Sequence, residues 1–386
     1  MSRSIRIFLL AFLGACASTV LASAQAASSS TDVNDASPST APVAFVYVSS
    51  FPNNTGQINA YSAAANGTLT AIPGSPFPDN VNYMAVNGAW LFAIENNPNE
   101  SLVDSYAIAS NGALTLKDRN TANANPGVVS VYLDHTGSTL YADYYTTNND
   151  YLSYSIDQST GKLTQIGDLA GGPSNNSPVS FIGNNVFAYS SSCYHFAPEI
   201  IGVRRNTDGT LSYLNNFNPP FPTPPSGDFY CPWLAAADPT NHLAIAVQPF
   251  TGDWVSDGPY QLATYTANNS GNLTTNSTYA NMPKVLVGSI TDYWMSPNGR
   301  FLAVGGTSGL QIFHFNGANP ITRYTGLLTG KEVDQVFWDN AHHLYALSRP
   351  SGKLYVFTVT SSSVTQAPGS PHSITSPQSV IVLPKT

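Results

Sequence analysis

Along Trp294-Met295-Ser296-Pro297-Asn298-Gly299-Arg300-Phe301-Leu302-Ala303-Val304-Gly305-Gly306, aromatic and β-branched residues come in short runs broken by a Pro-Asn-Gly turn. Leu310 to Phe315 follows after a small loop, with alternating character. The pattern predicts a strand, a tight turn, a second strand, a loop and a third strand. Weaker copies recur through the chain. The second strand of the unit is the easiest to align, at Phe45 to Val48, Leu91 to Ile94, Leu140 to Ala142, Val186 to Tyr189, Leu243 to Val247, Phe301 to Val304 and Leu344 to Leu347. The spacing of roughly 43 to 58 residues is that of propeller blades.

Third strands keep the same rhythm, and Gly-containing turns such as Asn66-Gly67, Asn111-Gly112, Asp208-Gly209 and Ser270-Gly271 lead into a fourth. Gly supplies the positive φ that such hairpins need. First strands precede six of the second strands, while the amino-terminal unit has none of its own. The missing one is expected at the far end, Gln378 to Leu383. Docked innermost beside Phe45 to Val48, it would close a ring of seven four-stranded antiparallel blades over residues 41–386. A two-sheet sandwich is the competing all-β arrangement, but sandwich strands do not recur in fours.

The amino terminus changes the picture of where the protein works. Arg3 and Arg6 precede an apolar run from Ile7 to Leu13 and then small residues, the layout of a secretory signal over residues 1–27. Leu13-Gly14-Ala15-Cys16 resembles a lipobox, with Cys16 the lipidated residue. Ala22-Ser23-Ala24 and Ala24-Gln25-Ala26 resemble ordinary cleavage sites. The expected destinations are therefore an outer-membrane lipoprotein or a periplasmic or secreted protein. Residues 28–40 are small and polar and read as a disordered tether.

Only 9% of the 386 residues are charged, with 14 Lys and Arg against 22 Asp and Glu, so the formal charge is −8. No basic surface is available for nucleic acid. A monomer without cofactor or metal is expected, since no Cys-x-x-Cys or comparable ligand spacing occurs.

Ser296-Pro297-Asn298-Gly299-Arg300-Phe301-Leu302 resembles the Ser-Pro-Asp-Gly-Arg signature of the seven-bladed lactonase propellers, which include bacterial 6-phosphogluconolactonases and YVTN-type surface proteins. Ile72-Pro73-Gly74-Ser75-Pro76-Phe77 and Ala367-Pro368-Gly369-Ser370-Pro371-His372 resemble a connector of exported members. The resemblance implies the propeller fold and, for an enzyme, lactone hydrolysis. Of the family's Asp-Leu-Gly segment the chain keeps Asp143 but reads Tyr144-Tyr145 after it, and no His stands at the matching inner-strand start.

Candidate chemistry gathers in long insertions of units four and five: Ser190 to Glu199, Asn215 to Cys231 and Gln248 to Tyr260. Loops on a rigid ring are where binding usually resides. Cys193 and Cys231 fall in these insertions on one face, which in an exported protein predicts a disulfide; two buried thiols are the alternative. Tyr194, Phe196, Phe229, Tyr230, Trp254 and Tyr260 could wall a cleft, with Asp228, Asp253, Asp257 and His195 as polar contacts. Packing of a Pro-rich loop would explain the aromatics equally. His135, His242, His342 and His343 read as solvated turn residues, and Trp294 as core. Arg323, Lys331, Glu332 and Arg349 could approach the ring's opening. Three functions remain open at this point: an envelope module binding a carbohydrate, a peptide or another envelope protein; a lactone hydrolase using Asp143, His195 and Arg323; or a structural surface component.

Overall fold

The computed structural model describes residues 41–95, 102–121, 128–144, 151–170, 178–194, 197–225 and 227–385. Expectations for residues 1–27 and 28–40, and for Cys16, His195 and Phe196, lie outside them.

Seven antiparallel sheets form the seven blades of a propeller. Blade 1 is ordered Pro377–Pro384, Ala44–Ser50, Gln57–Ala63, Leu69–Ala71 from the inside out, so the last strand of the chain is innermost in the first blade. Its register sets Leu383 opposite Phe45, Val382 opposite Val46, Ile381 opposite Tyr47 and Val380 opposite Val48. Blades 2 to 7 each use four consecutive strands, beginning at Val81–Val86, Val128–Leu133, Ser180–Phe181, Asp228–Ala237, Ile290–Met295 and Gln335–Trp338. The apolar residues of facing blades interdigitate; one such core joins Phe45, Tyr47 and Ile381 of blade 1 to Leu91 and Ala93 of blade 2.

Turns that the sequence marks as hairpins have a second task. The Gly112 carbonyl, in the outer turn of blade 2, accepts the Tyr47 hydroxyl of blade 1 at 2.9 Å. Tyr141 reaches Gly209 and Tyr189 reaches Gly271 in the same way, each at 2.7 Å. Gly112 has φ +86°, and a Cβ there would stand 2.5 Å from Ile72 Cδ1. The residue is thus required by conformation and by the approach of the neighbouring blade.

Propeller blades have open inner and outer edges, whose unpaired N–H groups need acceptors. Side chains of the preceding blade supply several on the inside. Ala237 N–H donates to Ser180 Oγ, Val336 N–H to Asp292 Oδ2 and Val380 N–H to Gln335 Oε1, each at 2.8 Å. On the outside, hydroxyls in the connectors accept from third strands: Ala60 N–H to Ser75, Thr264 N–H to Ser277, Ile312 N–H to Thr325 and Val356 N–H to Ser370. Ser75 and Ser370 are the serines of the two Pro-Gly-Ser-Pro connectors. The residues after them, Phe77 and His372, pair with the third strands of blades 1 and 7. The motif is an edge cap made of a hydroxyl and a two-residue strand.

Two expectations for lone residues are corrected. His343 is fully buried rather than solvated, because Asp339 Oδ2 sits 2.7 Å from its Nδ1 and also accepts the Tyr345 hydroxyl. Trp294 is 42% exposed rather than core, since its inner strand turns it outward against Phe337, with ring centres 4.6 Å apart.

Replacing Ser75 or Ser370 by Ala strands a buried N–H, and each variant should lose about 1–3 kcal/mol in urea unfolding. Equal stability of both variants and the parent would show that the caps are dispensable.

Candidate functional site

Blades 4 and 5 depart from the regular plan where inner strands begin and second strands end, here called the funnel face. In blade 3 the second and third strands, Thr139–Tyr144 and Tyr151–Ile156, have six residues each. Their blade 4 counterparts, Phe187–Tyr194 and Ala197–Arg205, have eight and nine. In blade 5 the inner and second strands, Asp228–Ala237 and His242–Thr251, have ten each. Beyond the Val247 to Gln261 pair only these two strands of blade 5 continue, ending at Asp228 opposite Thr251. Parts of the segments expected as loops are therefore paired strand, namely Ser190 to Tyr194, Asp228 to Cys231 and Gln248 to Thr251, and they rise from the ring as a crest. The missed signal was alternation itself: Phe229 and Phe250 fall opposite each other once the strands are extended.

Cys193, near the end of the blade 4 second strand, and Cys231, near the start of the blade 5 inner strand, are joined by a disulfide with Cα atoms 5.3 Å apart. The crosslink ties the two raised blades together, on one face as expected.

At the tip of blade 5 the chain turns through Thr251 to Val255, with the Val255 carboxamide oxygen and the Thr251 N–H closing the hairpin at 2.9 Å. Trp254 occupies the left-handed region there, at φ 63°. Its ring meets Phe229 edge-on with centres 4.4 Å apart and lies 6.4 Å from Phe250, while Phe229 and Phe250 stack at 6.1 Å. A bulky residue at positive φ costs about 1–3 kcal/mol. Asp228, at the base of this hairpin, has its carboxyl pushed up by burial and by the adjoining Asp257 carboxyl, to which it is hydrogen-bonded. Asp253 and Asp257 are exposed. Among the described residues, no Lys, Arg or His forms an ion pair with Asp228, Asp253 or Asp257.

The remaining predicted residues are distributed less compactly. Tyr230 is 2% exposed, and its hydroxyl donates to Gln261 Oε1 at 3.0 Å, so it is a strut under the crest rather than a cleft wall. Tyr260 is half-buried against Trp233, with ring centres 6.0 Å apart. The backbone of Tyr194 ends the blade 4 second strand, opposite Ala197. Arg323 lies at the end of the outermost strand of blade 6, where its Nη2 donates to the Lys284 carbonyl at 3.2 Å.

Asp143, at the funnel end of blade 3, is 2% exposed and accepts the Ser130 hydroxyl at 2.7 Å. Burial raises its carboxyl to about 7, against the opposing pull of Ser130 and Tyr132. Two further acids have similar surroundings and were missed because a lone Asp in a strand carries no sequence signature. Asp292 of blade 6 is raised to about 7 by burial. Asp104 of blade 2 is fully buried and raised to about 7 by burial and then by Asp79; Arg119 Nη1 stands 3.1 Å from Asp104 and 3.2 Å from Glu95. No group of three or more His, Cys, Asp or Glu among the described residues could hold a metal ion.

Residues 45–180 match the family model described as Lactonase, 7-bladed beta-propeller. The molecule is of the class of seven-bladed propellers built like the lactonases. Among solved structures it is similar to a provisionally named 6-phosphogluconolactonase of Bacteroides fragilis, at 15% identity and TM-score 0.66 over 90% of this chain and 99% of that one. A Bacteroides uniformis protein provisionally given the same name matches at 13% identity and TM-score 0.66, over 88% and 99%. Kuenenia stuttgartiensis hydrazine synthase matches at 12% and TM-score 0.51, over 85% and 99%. At such identities the likeness concerns the fold, which serves unrelated chemistries. The search of curated proteins finds no match.

The three raised carboxyls give stability a pH dependence of definite sign. Unfolded Asp ionises near 3.9, so between about pH 4 and 7 the folded chain holds the extra protons. Their contribution is full below that window and is lost as pH rises through about 7. Thermal melts should show Asp143→Asn and Asp292→Asn each flattening the fall in Tm between pH 5 and 8; unchanged slopes would refute these assignments.

Proposed function

We propose that the protein is an exported binding module that takes a carbohydrate on the crest of blades 4 and 5. The observation that carries this reading is Trp254, held at positive φ on a hairpin tip where Gly or Asn would fit without strain, with its ring braced by Phe229 and Phe250. Backbone strain persists where the side chain it presents is useful. A braced indole offers a flat apolar face to a sugar ring, and the Asp228, Asp253 and Asp257 carboxyls beside it accept hydroxyl protons. Export is supported by the signal-like amino terminus and by the disulfide, which suits an oxidising compartment. The crosslink fixes the crest before a ligand arrives, which lowers the ordering cost of binding.

A second reading, lactone hydrolysis in the funnel, is favoured by the family match over residues 45–180. Asp143 has a carboxyl suited to proton transfer near neutrality, but it is buried between blades and far along the chain from Arg323 on its outer strand. The crest presents its groups to solvent, and for that reason it is preferred.

Glycan-array screening of the purified protein should identify bound oligosaccharides whose signal drops at least about tenfold in Trp254→Ala and in Asp257→Asn, with Tm preserved. Binding indifferent to both substitutions, or binding confined to peptides, would overturn the reading. Turnover of gluconolactone in a pH-stat, abolished by Asp143→Asn, would establish the second one.

A further inference from the structure

The connector from the outer strand of blade 4 to the inner strand of blade 5 contains Asn218-Pro219-Pro220-Phe221-Pro222-Thr223-Pro224-Pro225, five prolines in eight residues. Each proline fixes its own φ at about −65°, and Asn218, Pro219, Phe221, Thr223 and Pro224 are confined to extended backbone by the proline that follows them. No proline of this stretch follows a cis peptide bond. Covalent geometry thus sets the segment as a polyproline II helix, with about three residues per turn and no internal hydrogen bonds. Burial follows that period. Pro222 is buried and Pro219 and Pro225 are half-buried, whereas Pro220, Phe221 and Thr223 are exposed, Phe221 by 37%. The ridge Pro219-Pro222-Pro225 therefore lies against the protein, and the ridges that begin at Pro220 and Phe221 face solvent.

The segment is held at both ends. Phe217, just before it, packs against Tyr189 of blade 4 with ring centres 6.0 Å apart. Thr223 pairs in parallel with Thr278 of the connector leaving blade 5, and its carbonyl accepts the Tyr279 N–H at 3.2 Å. The Pro225 carbonyl accepts the Asp228 N–H, also at 3.2 Å, where the crest begins. Between these anchors, the carbonyls of Asn218, Pro219, Pro220, Phe221 and Pro222 accept no hydrogen bond from any described residue. A large apolar ring and a row of open acceptors thus stand together on a backbone that is already rigid.

We propose that residues 218–225 are an interaction surface for a protein bearing an aromatic-lined groove of the kind that binds polyproline II segments. Proline lacks an N–H, so this stretch cannot add to a partner's sheet as a strand; it offers ring surface and carbonyls instead. Pro220 and Phe221 fit between parallel Trp or Tyr rings, and an indole N–H or phenolic O–H of the groove donates to the open carbonyls. Folding has already extended and tethered the segment, which lowers the ordering cost of association. Here the chain supplies the ligand and the partner supplies the groove, so the surface does not depend on carbohydrate binding at the crest.

Interferometry of the intact protein over immobilised WW, SH3 and EVH1 domains, with a synthetic decaproline peptide as competitor, tests the assignment. At least one of these domains should bind the parent saturably and release it to the competitor. Phe221→Ala and Pro220→Ala should each weaken that binding roughly tenfold or more, with Tm preserved because both side chains face solvent, and Trp254→Ala should leave it unchanged. If one of the two variants does not fold, the other serves as the test. Absence of saturable binding to every domain, binding that resists the competitor, binding indifferent to both substitutions, or loss in Trp254→Ala would each overturn the proposal.

Discussion

The constraint on which this structure depends is closure. A sheet wedge in a ring has an inner and an outer edge, and neither can be left with buried, unpaired N–H groups. The chain meets the constraint by placing its final strand, Pro377–Pro384, against Ala44–Ser50. Two segments more than three hundred residues apart become neighbours in one sheet. The same demand explains the small devices elsewhere: polar side chains of one inner strand accept from the next, and serines of the connectors cap third strands. These contacts run between blades as well as within them, so the seven units stabilise one another in sequence around the ring.

A closed ring frees its funnel face for variation, because strands can lengthen there without disturbing the packing below. Blades 4 and 5 use that freedom. Their raised strands are locked by Cys193 and Cys231 and end in a braced Trp254 with acidic neighbours. Blade 7 instead holds a half-exposed Arg349 against buried Asp334 at its funnel end.

Much of the fold was legible because its signals are periodic. Short apolar runs and Gly turns repeat at blade spacing, and the absence of a first strand in the opening unit points to the Val380 to Leu383 run at the other end. The disulfide was legible for a similar reason, since both cysteines fall in matching insertions on one face. The crest was not, because Pro, Ser and Gly in those insertions mask the alternation that pairs Phe229 with Phe250. His343 was misjudged because its burial depends on Asp339 and on the packing of blade 1, neither of which a turn-like local sequence reveals. Tyr230 and Arg323 show the same limit: strand assignment places a residue on a blade, but whether its side chain meets solvent, core or a neighbour is decided by register. The raised carboxyls of Asp143, Asp292 and Asp104 arise from burial at blade contacts and have no local signature.

The ring depends most directly on its closing strand. Val380, Ile381, Val382 and Leu383 are all buried, and at about 1.5–3 kcal/mol for each side chain their burial is comparable to the whole net stability of about 5–15 kcal/mol expected for a folded domain. Truncation after Thr375 therefore tests closure in a single calorimetric scan. The truncated chain is predicted to show no cooperative unfolding transition, and addition of a peptide spanning residues 376–386 is predicted to restore one. A truncated chain that melts cooperatively at the parent's Tm, without the peptide, would contradict the ring as described.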